Sequence, residues 1–230
     1  VVSFETSLTG HLYRQTIGGW SATRTHHKGN RRAIMSQRDS GYARRERDFY
    51  ETPAWVTEAL CNDLVRSGWA LGCVWEPAAG NGKMLDVLKR YADPGRAVGT
   101  DINPLRPDIG KGDFLAADFP SHHDGYRGFG GIVTNPPYDL ATEFVERALR
   151  LFEGAPLGKI AMLMRTDFDH AKSRAHIFRD CPAFQKKLVL TRRIVWFEPE
   201  PGSKGKSPSF NHAWFIWDRN HAGPATLGYA

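Results

Sequence analysis

From residue 50 onward, apolar and polar positions alternate between two periods, and the segments they define predict a succession of helices and strands. A helix is expected over residues 53–67, opened by Thr52 as a capping hydroxyl with Pro53 at the first helical position, and closed at Gly68. The short apolar run Cys73, Val74, Trp75 reads as a buried strand ending at Glu76; a Gly-rich turn and a helix over 83–91 follow. Strands are expected at 97–102, 130–134 and 159–164, with a helix at 140–152 between the last two. This is the punctuation of βαβ units. The end of the chain departs from it. Two strands, 187–197 and 213–217, joined by a Pro-, Gly- and Lys-rich loop, read as a terminal hairpin.

At 230 residues the chain holds one domain with a sizeable core, here residues 49–230, preceded by a polar segment over 1–48. That segment contains nine Lys or Arg against four Asp or Glu, and so most of the net charge of +6. It has too few apolar residues to fold alone, and is read as a basic, disordered arm suited to phosphate. A solvated or non-native leader is the competing reading, with Met35 as an alternative functional start. Residues 1–10 lack the basic start and apolar core of a secretory signal, and no apolar run approaches the roughly twenty residues of a membrane span. A cytoplasmic protein without membrane contact is therefore expected. Cys61, Cys73 and Cys181 are far apart and read as buried thiols. The His26-His27 and His122-His123 pairs lack partners at metal-ligand spacing, so no metal is expected.

Three segments contain candidate chemistry. In the turn Glu76-Pro77-Ala78-Ala79-Gly80-Asn81-Gly82, the glycines let a ligand approach the backbone closely. Asp101, at the end of the next strand and about twenty-five residues on, stands where doubly wound folds place a carboxylate for ribose hydroxyls. Gly112-Asp113-Phe114-Leu115 offers a carboxylate for an adenine amine beside a ring that would cover the purine, although a turn cap and a core ring are equally open.

The most specific segment is the apolar strand that runs into Asn135-Pro136-Pro137-Tyr138. Consecutive prolines fix a rigid loop and have no amide hydrogen to donate. A conjugated amine is a poor nucleophile, because its lone pair is delocalised into the ring. Acceptors on its two hydrogens, here the Asn135 side-chain oxygen and the Pro136 carbonyl, would draw the nitrogen toward tetrahedral geometry. Tyr138 would stack on a base that has left the duplex.

The ordered set EPAAGNG, GTDINP, GDFL and NPPY resembles the motifs of class I S-adenosylmethionine-dependent methyltransferases that modify adenine N6 in DNA. Phe49-Tyr50-Glu51-Thr52-Pro53 is similar to the segment that contacts the methionine end of the cofactor in those enzymes. Its place before the Gly-rich turn matches their gamma arrangement. LMRTDF at 163–168, the Arg192-Arg193 segment and HAWFIWD resemble small phage and prophage members. The resemblance implies a doubly wound, Rossmann-like α/β fold: a seven-stranded, mostly parallel sheet with a C-terminal antiparallel hairpin. It implies S-adenosylmethionine held by Tyr50, Thr52, Pro53, Glu76, Pro77, Ala78, Gly80, Gly82, Asp101, Ile102, Asp113, Phe114 and Asn135. It also implies a flipped adenine as substrate.

Larger gamma enzymes add a separate target-recognition domain, so specificity here is expected from loops, the arm or a partner, or to be slight. Phosphate contacts are expected from Arg44, Arg45 and Arg47 in the arm and Lys204 and Lys206 in the hairpin loop, with Arg165, Lys172 and Arg174 as further candidates. Three alternatives stand beside DNA adenine: a base amine of RNA, the amide of a protein glutamine, and an inactive nucleic-acid-binding relative.

Overall fold

A computed structural model describes residues 50–116, 130–153, 158–196 and 210–230. The basic arm, the His26-His27 and His122-His123 pairs, and Lys204 and Lys206 lie outside the described residues. The elements in chain order are α1 (Ala54–Arg66), β1 (Val74–Glu76), α2 (Lys83–Tyr91), β2 (Ala97–Asp101), β3 (Gly110–Lys111), β4 (Gly131–Thr134), α3 (Ala141–Leu151), β5 (Lys159–Arg165), β6 (Phe184–Val189), β7 (His212–Asp218) and β8 (Thr226–Tyr229). Two short 3-10 segments, Phe168–His170 and Lys172–Ile177, follow β5.

The strands form one sheet in the order β3-β2-β1-β4-β5-β7-β6-β8. Strands β1 to β5 run parallel, and β7 is antiparallel to both β5 and β6. The mostly parallel sheet with C-terminal antiparallel strands expected from the resemblance is thus present, with eight strands in place of seven, because β8 adds to it by pairing parallel to β6. Strand β6 occupies Phe184–Val189 instead of the expected 187–197. The apolar run beyond it still reports burial, because Ile194 is fully buried outside the sheet.

Alternating positions of β5 feed the two faces of the sheet, as the twofold period of a strand requires. Ile160, Met162 and Met164 pack with α3 residues Phe144, Val145 and Ala148 on one side. Ala161 and Leu163 pack with α1 and α2 on the other, joined by Val133 and Trp214. Helix α1 forms because Val56, Leu60 and Leu64 recur every four residues on one buried face. The Trp214 Nε1–H donates to the Val56 carbonyl at 2.9 Å and ties the start of this helix to β7. Gly68, at φ +79°, ends α1 in the left-handed conformation that glycine adopts without steric cost, and the Trp69 N–H closes back onto the Leu64 carbonyl at 3.0 Å.

The start of α1 differs from the expectation. Pro53 is the N-cap and no side chain caps the helix. The Thr52 hydroxyl is engaged elsewhere, by Asn135.

Candidate active site

The parallel register brings the C-terminal ends of β1, β2 and β4 to one edge of the sheet: Glu76 lies opposite Gly99, and Trp75 opposite Ile132. Between β1 and β4 the strand order reverses, and the loops that leave them diverge to opposite faces. Open α/β sheets bind ligands in the crevice at such a point.

On the β1 and β2 side, the Gly-rich turn is tied down from three directions. Gly80 sits at φ +51°, and its N–H donates to Asp101 Oδ2 at 2.8 Å, while Asp101 Oδ1 accepts from the Asn103 N–H at 2.7 Å. Each carboxylate oxygen keeps a free lone pair. Asn81 donates to Glu51 at 2.7 Å, and Lys83 pairs with the same carboxylate. Arg106 reaches the Asn81 carbonyl at 3.3 Å and Asp86 at 2.7 Å. Gly82 enters α2 at φ +79°, and a Cβ there would lie 2.5 Å from the Arg106 guanidinium. Pro77 is buried and Ala78 half-buried along the same turn.

Glu76 is 3% exposed, and its Oε2 has no hydrogen-bond partner among the described residues. Burial pushes its carboxyl well above the usual range, with the negative charge of Asp101 acting in the same direction. Ile102, next to Asp101, is 57% exposed and offers an apolar surface at the rim.

Phe114 takes the core position that the sequence left open beside purine cover. It is 2% exposed, with ring centroids 5.2 Å from Trp75 and 4.8 Å from Phe144. Asp113 caps its own turn by accepting the Leu115 N–H at 3.0 Å.

On the β4 side, the Asn135 Nδ2 donates to the Thr52 hydroxyl at 3.2 Å. Its Oδ1 is buried and unpartnered among the described residues. The Pro137 carbonyl accepts the Leu140 N–H at 3.0 Å and so turns the chain into α3, whereas the Pro136 carbonyl takes none of the loop's backbone bonds among the described residues. The Tyr138 ring lies 5.7 Å from Tyr50, and its hydroxyl is 3.1 Å from His212 Nε2. Trp196 completes the cluster, 5.5 Å from Tyr50 and 5.2 Å from His212.

Neither His212 nor Trp196 was singled out from the sequence for a role in the site. Both lie in apolar runs, where a core reading is the default; an imidazole in the otherwise apolar HAWFIW run was the available signal.

Arg165 lies at the same edge, opposite His212, bound through two nitrogens to Asp167 at 3.0 and 2.6 Å and stacked 3.9 Å from the Phe210 ring. Arg174 covers the Phe168 ring at 4.0 Å, and burial lowers its pKa. Lys172 is exposed.

No family model and no curated protein matches the chain. Among solved structures, it is similar to a Listeria monocytogenes protein assigned to the class I S-adenosylmethionine-dependent methyltransferases. That match has a TM-score of 0.52 and 14% identity over 76% of this chain and 63% of that one. The fold is that of the class I methyltransferases. A dimethyladenosine transferase from Plasmodium falciparum is similar at a TM-score of 0.47 and 12% identity, covering 74% of this chain and 62% of that one. The chain thus spans under two thirds of the length of either protein. Within the methyltransferase fold, the Gly-rich turn and the Asn135 loop occupy the crevice edge described above. No helix among the described residues is long and apolar enough to cross a membrane, and no group of three or more His, Cys, Asp or Glu among them is placed to hold a metal ion.

Proposed function

We propose that the chain transfers a methyl group from S-adenosylmethionine to the N6 amine of adenine in DNA. The observation that carries this reading is the state of Asn135: its amide nitrogen is tied to Thr52, and its oxygen is buried and without a partner among the described residues. Leaving a buried acceptor unpaired costs about 1–3 kcal/mol. An amine N–H placed there offsets that cost and is held where its nitrogen loses planarity. The Pro136 carbonyl is the second acceptor, kept available by a loop whose prolines have no N–H to compete for it. Tyr138 supplies a flat face for the base.

The residues of the turn fit the cofactor. Asp101 retains lone pairs for ribose hydroxyls, and the buried Glu76 oxygen, unpartnered among the described residues, suits an N–H donor or a cation. The Ile102 side chain offers an apolar face beside Asp101 in the place expected of Phe114. Thr52 bonds Asn135 and Tyr50 packs against Tyr138; with Pro53 they form the segment to which the resemblance assigns the methionine end. When bound, the cofactor supplies a methyl group made electrophilic by its sulfonium.

The basic balance of residues 1–48 supports a polyanionic substrate over a protein glutamine. Arg44, Arg45, Arg47, Lys204 and Lys206, together with Arg165, Lys172 and Arg174, are the proposed phosphate contacts.

The direct test of the site is Asn135→Ala. Methyl transfer is expected to be lost while cofactor affinity, measured by calorimetry, is retained, because the missing group acts on the substrate amine. Transfer at the wild-type rate would remove Asn135 from the chemistry.

A further inference from the structure

His212 is the first residue of β7, at the crevice edge of the sheet, and is 3% exposed. The residues after it, Ala213, Trp214, Phe215, Ile216 and Trp217, are all apolar and buried. A leucine or phenylalanine would continue that pattern without burying a polar ring, so packing alone gives no reason for an imidazole here. Its Nδ1 is buried with no hydrogen-bond partner among the described residues, whereas its Nε2 lies 3.1 Å from the Tyr138 hydroxyl. The bond to Tyr138 is the side-chain hydrogen bond of the ring, beside the Phe210 backbone.

The groups around the imidazole come from three other parts of the chain. Tyr138 belongs to the loop after β4, Trp196 to the segment after β6, and Arg165 and Asp167 to the end of β5. Burial first, and then the positive charge of Arg165, push the His212 pKa down to about 4, against opposing effects of Asp167 and the Phe210 backbone. The ring is thus neutral at physiological pH. The Tyr138 ring is held at its far end by this bond and on one side by Tyr50, with the two ring planes inclined at 47°.

We infer that His212 is a positioning residue that fixes the hydroxyl, and with it the ring plane, of Tyr138. A bond at the tip of the phenol restricts rotation about both side-chain torsions, so the ring face is set before a base arrives. The role is distinct from contact with substrate, because His212 acts through Tyr138. The inference rests on the proposed adenine chemistry only where activity is measured.

Two measurements test it separately. In protein carrying 15N-labelled histidine, Tyr138→Phe is expected to shift the ring-nitrogen resonances of the histidine that stays neutral to about pH 4, and to leave those of exposed histidines in place. Unshifted resonances would overturn the pairing. In transfer assays, His212→Phe and Tyr138→Phe should each lower kcat/KM roughly 2- to 10-fold, the value of one hydrogen bond. The double variant should be no worse than the poorer single one, and cofactor affinity should be unchanged in all three. Multiplying losses, or weakened cofactor binding, would instead mark His212 as a general structural residue. Where His212→Phe does not fold, His212→Gln takes its place in the cycle. If the wild-type protein methylates no nucleic acid, the adenine reading fails, while the nitrogen resonances still decide the His212–Tyr138 pairing.

Discussion

The Asn135 side-chain amide donates to the Thr52 hydroxyl at 3.2 Å, a bond between residues 83 positions apart that joins the segment before α1 to the loop after β4. The amide has two ends, and this bond engages the nitrogen while the oxygen is buried without a partner among the described residues. Thr52→Val keeps the shape and removes the acceptor. It is expected to lower turnover roughly 2- to 10-fold, in line with the loss of one hydrogen bond, and Thr52→Ser is expected to restore most of it. Steady-state rates and calorimetric cofactor affinities check this together. A loss in the Ser variant with none in the Val variant would show that the methyl group, and not the hydroxyl, is what matters.

Tyr138 is expected to contribute through its ring face. Tyr138→Ala should weaken transfer by the value of one base stacked on an aromatic ring, about 1–3 kcal/mol, and Tyr138→Phe by less. Comparable losses in the two variants, measured as kcat/KM on duplex DNA, would place the whole contribution in the phenol oxygen.

Much of the architecture was legible because β1, β2, β4 and β5 are short apolar runs and α2 and α3 lie between sharp turn signals. Their observed ends fall within about one residue of expectation. Strand β8 was not legible. It is an edge strand with mostly exposed side chains, so burial left no pattern in Thr226–Tyr229. Strand β6 was displaced because Leu188, Leu190 and Ile194 are all buried, yet only the first lies in a strand. Apolar pattern reports burial, not backbone pairing. For the same reason Phe114 read equally well as core and as purine cover, and Thr52, next to a proline at a helix start, read as a cap. The Asn135–Thr52 and Tyr138–His212 pairs span 83 and 74 positions, and no local pattern encodes such a contact.

Two buried ionisable groups at the site impose opposite pH dependences on stability. His212 has a folded-state pKa near 4, below the 6.5 of a free histidine, so its contribution is complete above about pH 6.5 and is lost as pH falls toward 4. At about 1.4 kcal/mol per unit, the loss is on the order of 3 kcal/mol. The Glu76 carboxyl is raised instead, so its contribution is complete below 4.5 and is lost as pH rises through the folded-state value. Chemical denaturation at pH 5 and pH 7.5 is expected to show a shallower acid loss in His212→Phe than in wild type. Glu76→Gln is expected to gain stability at pH 7.5 and to bind S-adenosylmethionine more weakly. A Glu76→Gln variant with unchanged stability and unchanged affinity would remove that carboxyl from both roles.

Duplex affinity is expected to come mainly from positive side chains outside the crevice. Each neutralised phosphate adds about 0.9 to the slope of log affinity against log salt. Deleting residues 1–34, and separately changing Lys204 and Lys206 to Ala, should each flatten that slope in a salt titration. A slope lost only in the loop variant would place the functional start near Met35. No change in either would leave the contacts to Arg44, Arg45 and Arg47 or to Arg165, Lys172 and Arg174, which substitution of each set to Ala separates.

The central claim is tested most directly by supplying the purified protein with S-adenosylmethionine labelled in its methyl group and, in parallel, duplex DNA, RNA and total protein, then digesting each and identifying the labelled product by mass spectrometry. The account predicts labelled N6-methyladenine in the DNA, absent when Asn135→Ala replaces the wild type. Label confined to RNA or to protein glutamine, or no transfer to any of the three, would contradict it.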